Sequence, residues 1–538
     1  MAKANRPSPE STAFESAASC WLDESCQLFP ETASKLGFHD FDPLLGANTP
    51  EVHRENIRLQ ARTLARLEAV PAAALNREEC LDRRGLVARM RTGLFFDCEL
   101  ERWRTDPQIH CRSAIDSIFD LLLRAPGDPA AVLPAVESRL EKIPGFLQAG
   151  LACVRRPVPL WRDLALSACE GAVEFFQGLQ TELAAVSGDP ARTQRLLQGA
   201  IGGFQDFAGG LSRKAEGPAK GYAVGRVGFE FLIREQLGLD LSLNEARAAG
   251  LREIERQSHL LEKTARTLGR RPAYELLERA ARGWTPGMPL LETYRQTTFA
   301  LRERLRELDL VSLPGRESLR VLPVPAFLRN QFPTAAYSAP EPFSDDQTGV
   351  FWVNDLSLVQ SSEAAKQREI RQHHGLALTC AHEAYPGHHL QFVVQFRHPS
   401  RWRRLFAHAI FYEGWTMWCE RLAVEHGLVD DPLAKVVQIH DALWRAHRIV
   451  IDCGLQEGSL TPRAAARRLM QGVGFTKARA TADVNWYTSS PTVPMSYLLG
   501  RLEVEALHER FVLRGDWSLR YFNDWLLSHG AIPFRWFA

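Results

Sequence analysis

Apolar positions along this chain recur at helical spacing far more often than in strict alternation. In LSLNEARAAGLREIERQSHLLEKTARTLG, Ser242 and Glu245 form the reciprocal pair of a capping box, and Ala246, Leu251 and Ile254 follow at helical intervals. Thr461-Pro462 ahead of RAAARRLMQG is an N-cap and first-turn signature, with Gly472 near the expected end. Between Leu313 and Asn354 the pattern changes: proline, aromatic and turn residues dominate, which predicts loops carrying short strands at VLPV and GVFWVN. The expected fold is mainly α, a large helical body with a few short strands. A soft boundary near residue 240 separates an N-terminal helical lobe, 1–240, from a second part, 241–538, although no linker enforces it.

Composition narrows the picture. A chain of 538 residues buries a sizeable core, as two to four domains or as one large helical body. With 24% charged residues and a formal net charge of +1 it has no global signature for nucleic acid or an anionic membrane, and neither is expected as a partner. No apolar run of about 18 residues and no apolar leader near the N-terminus is found, so the expected compartment is the cytoplasm. Ten cysteines are scattered without CxxC pairs, as buried reduced thiols would be. Twelve of the sixteen histidines lie at or after His373, which places the candidate chemistry in the C-terminal part.

The segment CAHEAYPGHHLQFVV, residues 380–394, carries it. In the common zinc-peptidase helix, HExxH puts two histidines on one face with a glutamate beside them as general base. Here the partners of His382 are His388 at i+6 and His389 at i+7, and neither fits a straight helix. Pro386-Gly387 forbids one, and a bulge absorbing the two extra residues makes His388 the favoured second ligand, with His389 as the alternative. FYEGWTMWCERLAVEHG then places Glu413 and Glu420 on one face of an otherwise apolar helix, where buried carboxylates need a cation. Glu413 is the expected third ligand, and the set leaves a fourth position for water, as a catalytic Zn2+ requires. Glu383 is the candidate general base. Glu420 would orient a ligand histidine, or pair with Arg421 or Arg445.

HEAYPGHHLQ, EGWTMWCE, LWRAHRIVIDCGL and the stretch before PTVPMSYLLG occur in an order that resembles the bacterial family known as domain of unknown function 885, which is itself similar to gluzincin metallopeptidases. ASKLGFHDFDPLL, WRTDPQIH and YFNDWLLSHGAIP extend the resemblance through most of the chain. It implies a helical fold with a deep central cleft, a zinc site built from the HE, GH and EGW motifs, and hydrolysis of peptide or amide bonds. The chain departs from the family pattern at Trp486, Val493 and Gln456, where an arginine, a glutamine and a histidine are usual, so a narrowed substrate is expected.

Tyr497 is the first candidate to donate to an oxyanion and Tyr487 the second, although a tyrosine in an apolar stretch is as readily a core residue. Arg445 and Arg448 share a helical face and suit a substrate carboxylate, or else pair with Asp441 and Asp452. Tyr337 and Asn354 are expected to contact substrate, with GVFWVN as an edge strand pairing with an extended peptide. The functional expectation is a zinc-dependent hydrolase of a peptide or small amide, possible specialisation for one metabolite included. The alternative is a non-hydrolytic binding or scaffold protein on the same fold.

Overall fold

The computed structural model describes residues 8–125, 128–324, 334–356 and 362–538. Among the described residues helices dominate, as the spacing of apolar positions predicts, and three short strands make up the sheet. The chain divides into two compact units, Met1–Tyr222 with Glu341–Ser344 and Ala223–Pro340 with Asp345–Ala538. The division follows Tyr222, so the helix Gly225–Leu237, on the N-terminal side of the boundary expected near residue 240, belongs to the second unit.

In the first unit long helices pack in sequence order. Pro159–Val186 lies against Pro190–Ser212, and Pro50–Ala69 against both Pro9–Leu28 and Arg77–Leu94. Phe176 and Phe204 meet at 5.6 Å in its core. Buried polar groups there have partners. His110 has its ring nitrogens 2.9 Å from Asn48 Oδ1 and 2.9 Å from the Trp103 carbonyl, while Asn48 Nδ2 donates to the Phe146 carbonyl.

The second unit is built on helices α1 (Leu243–Leu268), α2 (Leu290–Glu307), α3 (Leu376–Glu383), α4 (His388–Gln395), α5 (Ala409–Glu425), α6 (Pro432–Glu457), α7 (Pro462–Val473), α8 (Lys477–Ser489) and α9 (Val493–His508). Ser242 and Glu245 make the capping box at the start of α1. Thr461 caps α7, which runs through Gly472 and ends at Gly474, whose φ of +78° suits a C-cap. Leu261 and Ala265 of α1 meet Val436, Ile439 and Leu443 of α6 in a dry cluster, where each large side chain contributes roughly 1.5–3 kcal/mol. Helices α5 and α9 cross through glycines. A Cβ on Gly414 would lie 2.7 Å from Gly500 Cα, so backbone meets backbone at this crossing.

Strands β1 (Ser318–Pro323), β2 (Ala335–Ser338) and β3 (Thr348–Val353) form a sheet in the order β1-β3-β2. β1 runs parallel to β3, pairing Ser318 with Thr348, and β2 runs antiparallel, pairing Tyr337 with Phe351. This corrects the expectation of an edge strand: GVFWVN lies in the centre, its backbone groups shared between two neighbours. Asn354, just beyond β3, donates its backbone N–H to the Thr334 carbonyl.

Candidate metal centre

Pro386-Gly387 does more than bulge a helix. α3 stops at Glu383 and α4 starts at His388, with a tight connection between them. Any Cβ at Gly387 would sit 1.8 Å from the His382 carbonyl oxygen, so only glycine lets the chain fold back this closely. The fold-back turns His388 edge-on to His382, with ring centroids 5.0 Å apart.

The EGW segment supplies the third member. His382 Nε2 is 3.7 Å and His388 Nε2 is 3.6 Å from the same oxygen, Glu413 Oε2. One candidate ligand atom from each of His382, His388 and Glu413 falls within a 4.8 Å sphere of mutual separation. Glu413 Oε2 is buried and has no hydrogen-bond partner. Ligands about 2.0–2.1 Å from a tetrahedral zinc stand roughly 3.4 Å apart, close to these separations and wider than a hydrogen bond. The donor set and its spacing therefore fit a zinc ion held by these three residues.

Electrostatics around the trio are divided. Burial alone would depress His382, but the Glu413 and Glu420 carboxylates beside it outweigh that and lift the imidazole to about 10. Burial drives His388 down to about 4, only partly opposed by Glu413, so it is neutral. Glu413 is held low: desolvation would raise it, yet the two histidines and Tyr497 prevail. Glu383 is pushed up to about 7 by burial and by the Glu413 and Glu420 charges, against the lowering effect of His382 and Arg445. It is thus poised between its acid and base forms near neutral pH.

Glu420 Oε1 accepts from His382 Nδ1 at 2.8 Å, the contact that leaves Nε2 facing Glu413. Of its alternative arginine partners, Arg421 pairs with Glu425 and Glu505, and Arg445 Nη1 lies 3.5 Å from Asp441. His389 points away from the trio. Its side chain is fully buried, and Nε2 lies 2.9 Å from Glu317 Oε2. Glu317 also takes the Tyr385 hydroxyl at 2.6 Å and Arg302 at 2.7 Å. Despite desolvation, these partners hold its carboxyl down at about 2. An anionic Glu317 makes His389 Nε2 the donor, so Nδ1 accepts from Tyr337 at 3.0 Å. The one hydroxyl proton of Tyr337 is therefore committed to His389.

Tyr497, half-buried on α9, interacts with Glu413, because the glycine crossing brings α9 against α5. Tyr487 is not brought to the trio. Fully buried on α8, it donates to Asp483 at 2.7 Å and accepts from Arg448 Nε at 2.8 Å. Arg448 therefore does not use Asp452, whose carboxylate is pushed well above its ordinary range by burial despite the Thr492 and Met495 backbone nearby. Gln456 is buried and donates to the Tyr487 carbonyl.

Glu317, Tyr385 and Trp444 escaped the reading of the sequence. Glu317 stands alone in a loop ahead of β1, and only the second histidine of the HH pair, as a group needing its own partner, pointed to an acid. All ten cysteines are free, and Cys380 and Cys419 are buried. Among the described residues no helix is long and apolar enough to cross a membrane.

Comparison with solved structures shows the same fold in two bacterial proteins. A candidate lipoprotein of unknown function from Shewanella oneidensis superposes with a TM-score of 0.78 at 19% identity, covering 97% of this chain and 98% of the other. One from Colwellia psychrerythraea gives 0.74 at 17% identity, with 97% of each chain covered. No curated protein matches the sequence. The family profile described as bacterial protein of unknown function, DUF885, matches residues 30–537, and the chain belongs to that family.

Proposed function

We propose that this chain is a zinc-dependent hydrolase of peptide or other amide bonds, on a gluzincin-like fold with the substrate in a central cleft. The observation that carries the reading is the convergence of His382 Nε2 and His388 Nε2 on a buried, unanswered carboxylate oxygen of Glu413. Bound zinc would supply a Lewis acid that polarises the amide carbonyl and acidifies water. Glu383 takes the proton of the attacking water and passes it to the leaving amine, a task suited to a carboxyl that titrates at about 7. Glu420 holds His382 in the tautomer that offers Nε2. Tyr497, beside Glu413, is the group placed to donate to the developing oxyanion.

The decisive experiment pairs metal analysis of the purified protein with turnover of a dipeptide, oligopeptide and acyl-amide panel by wild type and Glu383→Gln. Stoichiometric zinc with turnover that collapses in the variant supports the reading. A metal-free protein, or a variant as active as wild type, ends it. Trp486, Val493 and Gln456 motivate the second reading, a non-hydrolytic binding protein, which full zinc occupancy without cleavage of any panel member would favour.

A further inference from the structure

Beside the trio lies a second polar group that the proposed chemistry does not use. Arg445 and Arg448 project from one face of α6 and are 7% and 4% exposed. Both guanidiniums lie over Trp444, at 3.8 Å and 4.0 Å from the ring centroid, and both approach the Tyr497 ring, at 5.8 Å and 4.7 Å. Aromatic rings crowd both guanidiniums, and a ring face satisfies few of their N–H donors.

Their anionic partners are weak. Arg445 Nη1 reaches Asp441 only at 3.5 Å, and Arg448 Nη2 reaches Asp483 only at 3.9 Å. Asp483 Oδ2 already takes Tyr487 at 2.7 Å and the Trp444 indole at 3.1 Å. Buried Arg445 Nε and Arg448 Nη1 have no hydrogen-bond partner. Leaving charged donors buried and unanswered is costly, and a planar oxyanion is the acceptor a guanidinium fork fits best.

We infer that Arg445 and Arg448 form the seat for a free carboxylate of the substrate, adjacent to the amide that is cleaved. The inference rests on the hydrolase reading for the cleavage and on the arginines alone for the binding. Tyr497 links the two places, its ring against both guanidiniums and its hydroxyl end against Glu413. The Arg445 charge is also felt at Glu383. One tyrosine thus spans the separation, and consecutive residues of a chain advance about 3.8 Å, so the carboxylate belongs within one or two residues of the scissile bond. The substrate class is an acyl amino acid or a peptide cut near its free C-terminus. Water adds its oxygen to the acyl carbon, the C–N bond breaks, and the amine leaves with the proton, giving one carboxylic acid and one amine that keeps the seated carboxylate. Arg445 also acts on Glu383 and so offsets part of the acidic cluster beside it, which by itself repels an anionic substrate.

The test is calorimetric binding of matched probes, N-acetylphenylalanine against its carboxamide and benzoate against benzamide. Each is measured with zinc-loaded and with zinc-stripped protein, since zinc alone also attracts carboxylates. The expected result is a preference for the carboxylate of about tenfold or more that persists without zinc. It should fall several-fold in Arg445→Gln and in the milder Arg448→Lys, with thermal melts confirming that each variant is folded. Equal binding of acid and amide by stripped wild-type protein overturns the inference, as does an undiminished preference in both folded variants. Because stripped protein is used, a preference found in a protein that proves to hold no zinc and cleave nothing upholds the carboxylate seat while the hydrolase reading falls. Cleavage of amidated and free substrates at equal rates, with equal binding, does the reverse.

Discussion

Each unit of the protein holds a pair of histidines edge to edge, and the two pairs live under opposite conditions. In the first unit His53 and His110 meet at 5.6 Å and 83°. Asn48 Oδ1 serves both rings, and the Trp103 carbonyl takes the remaining nitrogen of His110. In the second unit His382 and His388 meet at 5.0 Å and 85°. They converge on a carboxylate oxygen that no donor reaches. Ring geometry alone does not separate the two pairs. The difference lies in the groups that answer the rings: neutral amide and carbonyl oxygens close off a packing element, whereas an unanswered buried carboxylate between two imidazoles calls for a cation.

The sharpest way to break this contrast is to remove one ring from each pair. His388→Ala is expected to lose stoichiometric zinc, read by mass spectrometry of the native protein, while His110→Ala keeps its zinc and melts lower. His389→Ala separates the neighbours, because His389 serves Glu317 and Tyr337 and its loss should leave zinc bound. Zinc lost from His389→Ala and kept in His388→Ala would reverse the assignment. Next in size, Glu383→Gln should lower kcat by about 10²–10⁴ with metal retained, as for a general base. Smaller again, Glu420→Gln should weaken zinc binding by about 10–100-fold, measured by competition with a chelator, because it only orients His382.

How much of this was legible beforehand depends on range. Ser242, Glu245, Thr461 and Pro462 announce their helices because caps act over three or four residues. The HE and EGW segments announce a shared site because two carboxylates on an apolar helix need compensation. Glu317 could not be seen this way. It is 72 residues from His389, and no local spacing joins a lone loop acid to an imidazole that far along the chain. The central place of β3 was equally hidden, since β1 and β2 pair with it across long connections. Tyr487 was misplaced for a related reason: both tyrosines precede or follow the same turn, and only the packing of α8 and α9 turns one toward Asp483 and the other toward Glu413.

The helix crossing behind the candidate metal centre gives a prediction of intermediate size. Gly414 follows Glu413 directly, and its missing Cβ lets Gly500 of α9 approach, which in turn sets Tyr497 beside Glu413. Gly414→Ala forces two backbones apart, since the clash is with Gly500 Cα and carbonyl carbon, not with a side chain that can rotate. A loss of about 1–3 kcal/mol in denaturant unfolding is expected. In contrast, alanine at Gly199, where a Cβ meets nothing within 4 Å, should be neutral or slightly stabilising on the exposed face of its helix. Equal penalties at both positions would mean that the crossing carries no special constraint.

The smallest effect separates the two histidine pairs by pH. Burial, then repulsion from His110, lowers His53 to about 4. Its folded value lies below its ordinary one, so the unfolded chain binds more protons between about 4 and 6.5. The stability it contributes is therefore complete above about 6.5 and is lost as pH falls toward 4. His53→Gln removes that dependence, and the stability difference from wild type should shrink between pH 7 and pH 5 in thermal melts. The change must be the same with and without zinc, because His53 belongs to the pair that amide and carbonyl oxygens already answer. Zinc's own stabilisation also fades in acid, as protons compete for the ligands, but in His53→Gln that fading should match wild type. A zinc-dependent difference between the two proteins would mean that the pairs are coupled, and the contrast between a packing pair and a binding pair would fail.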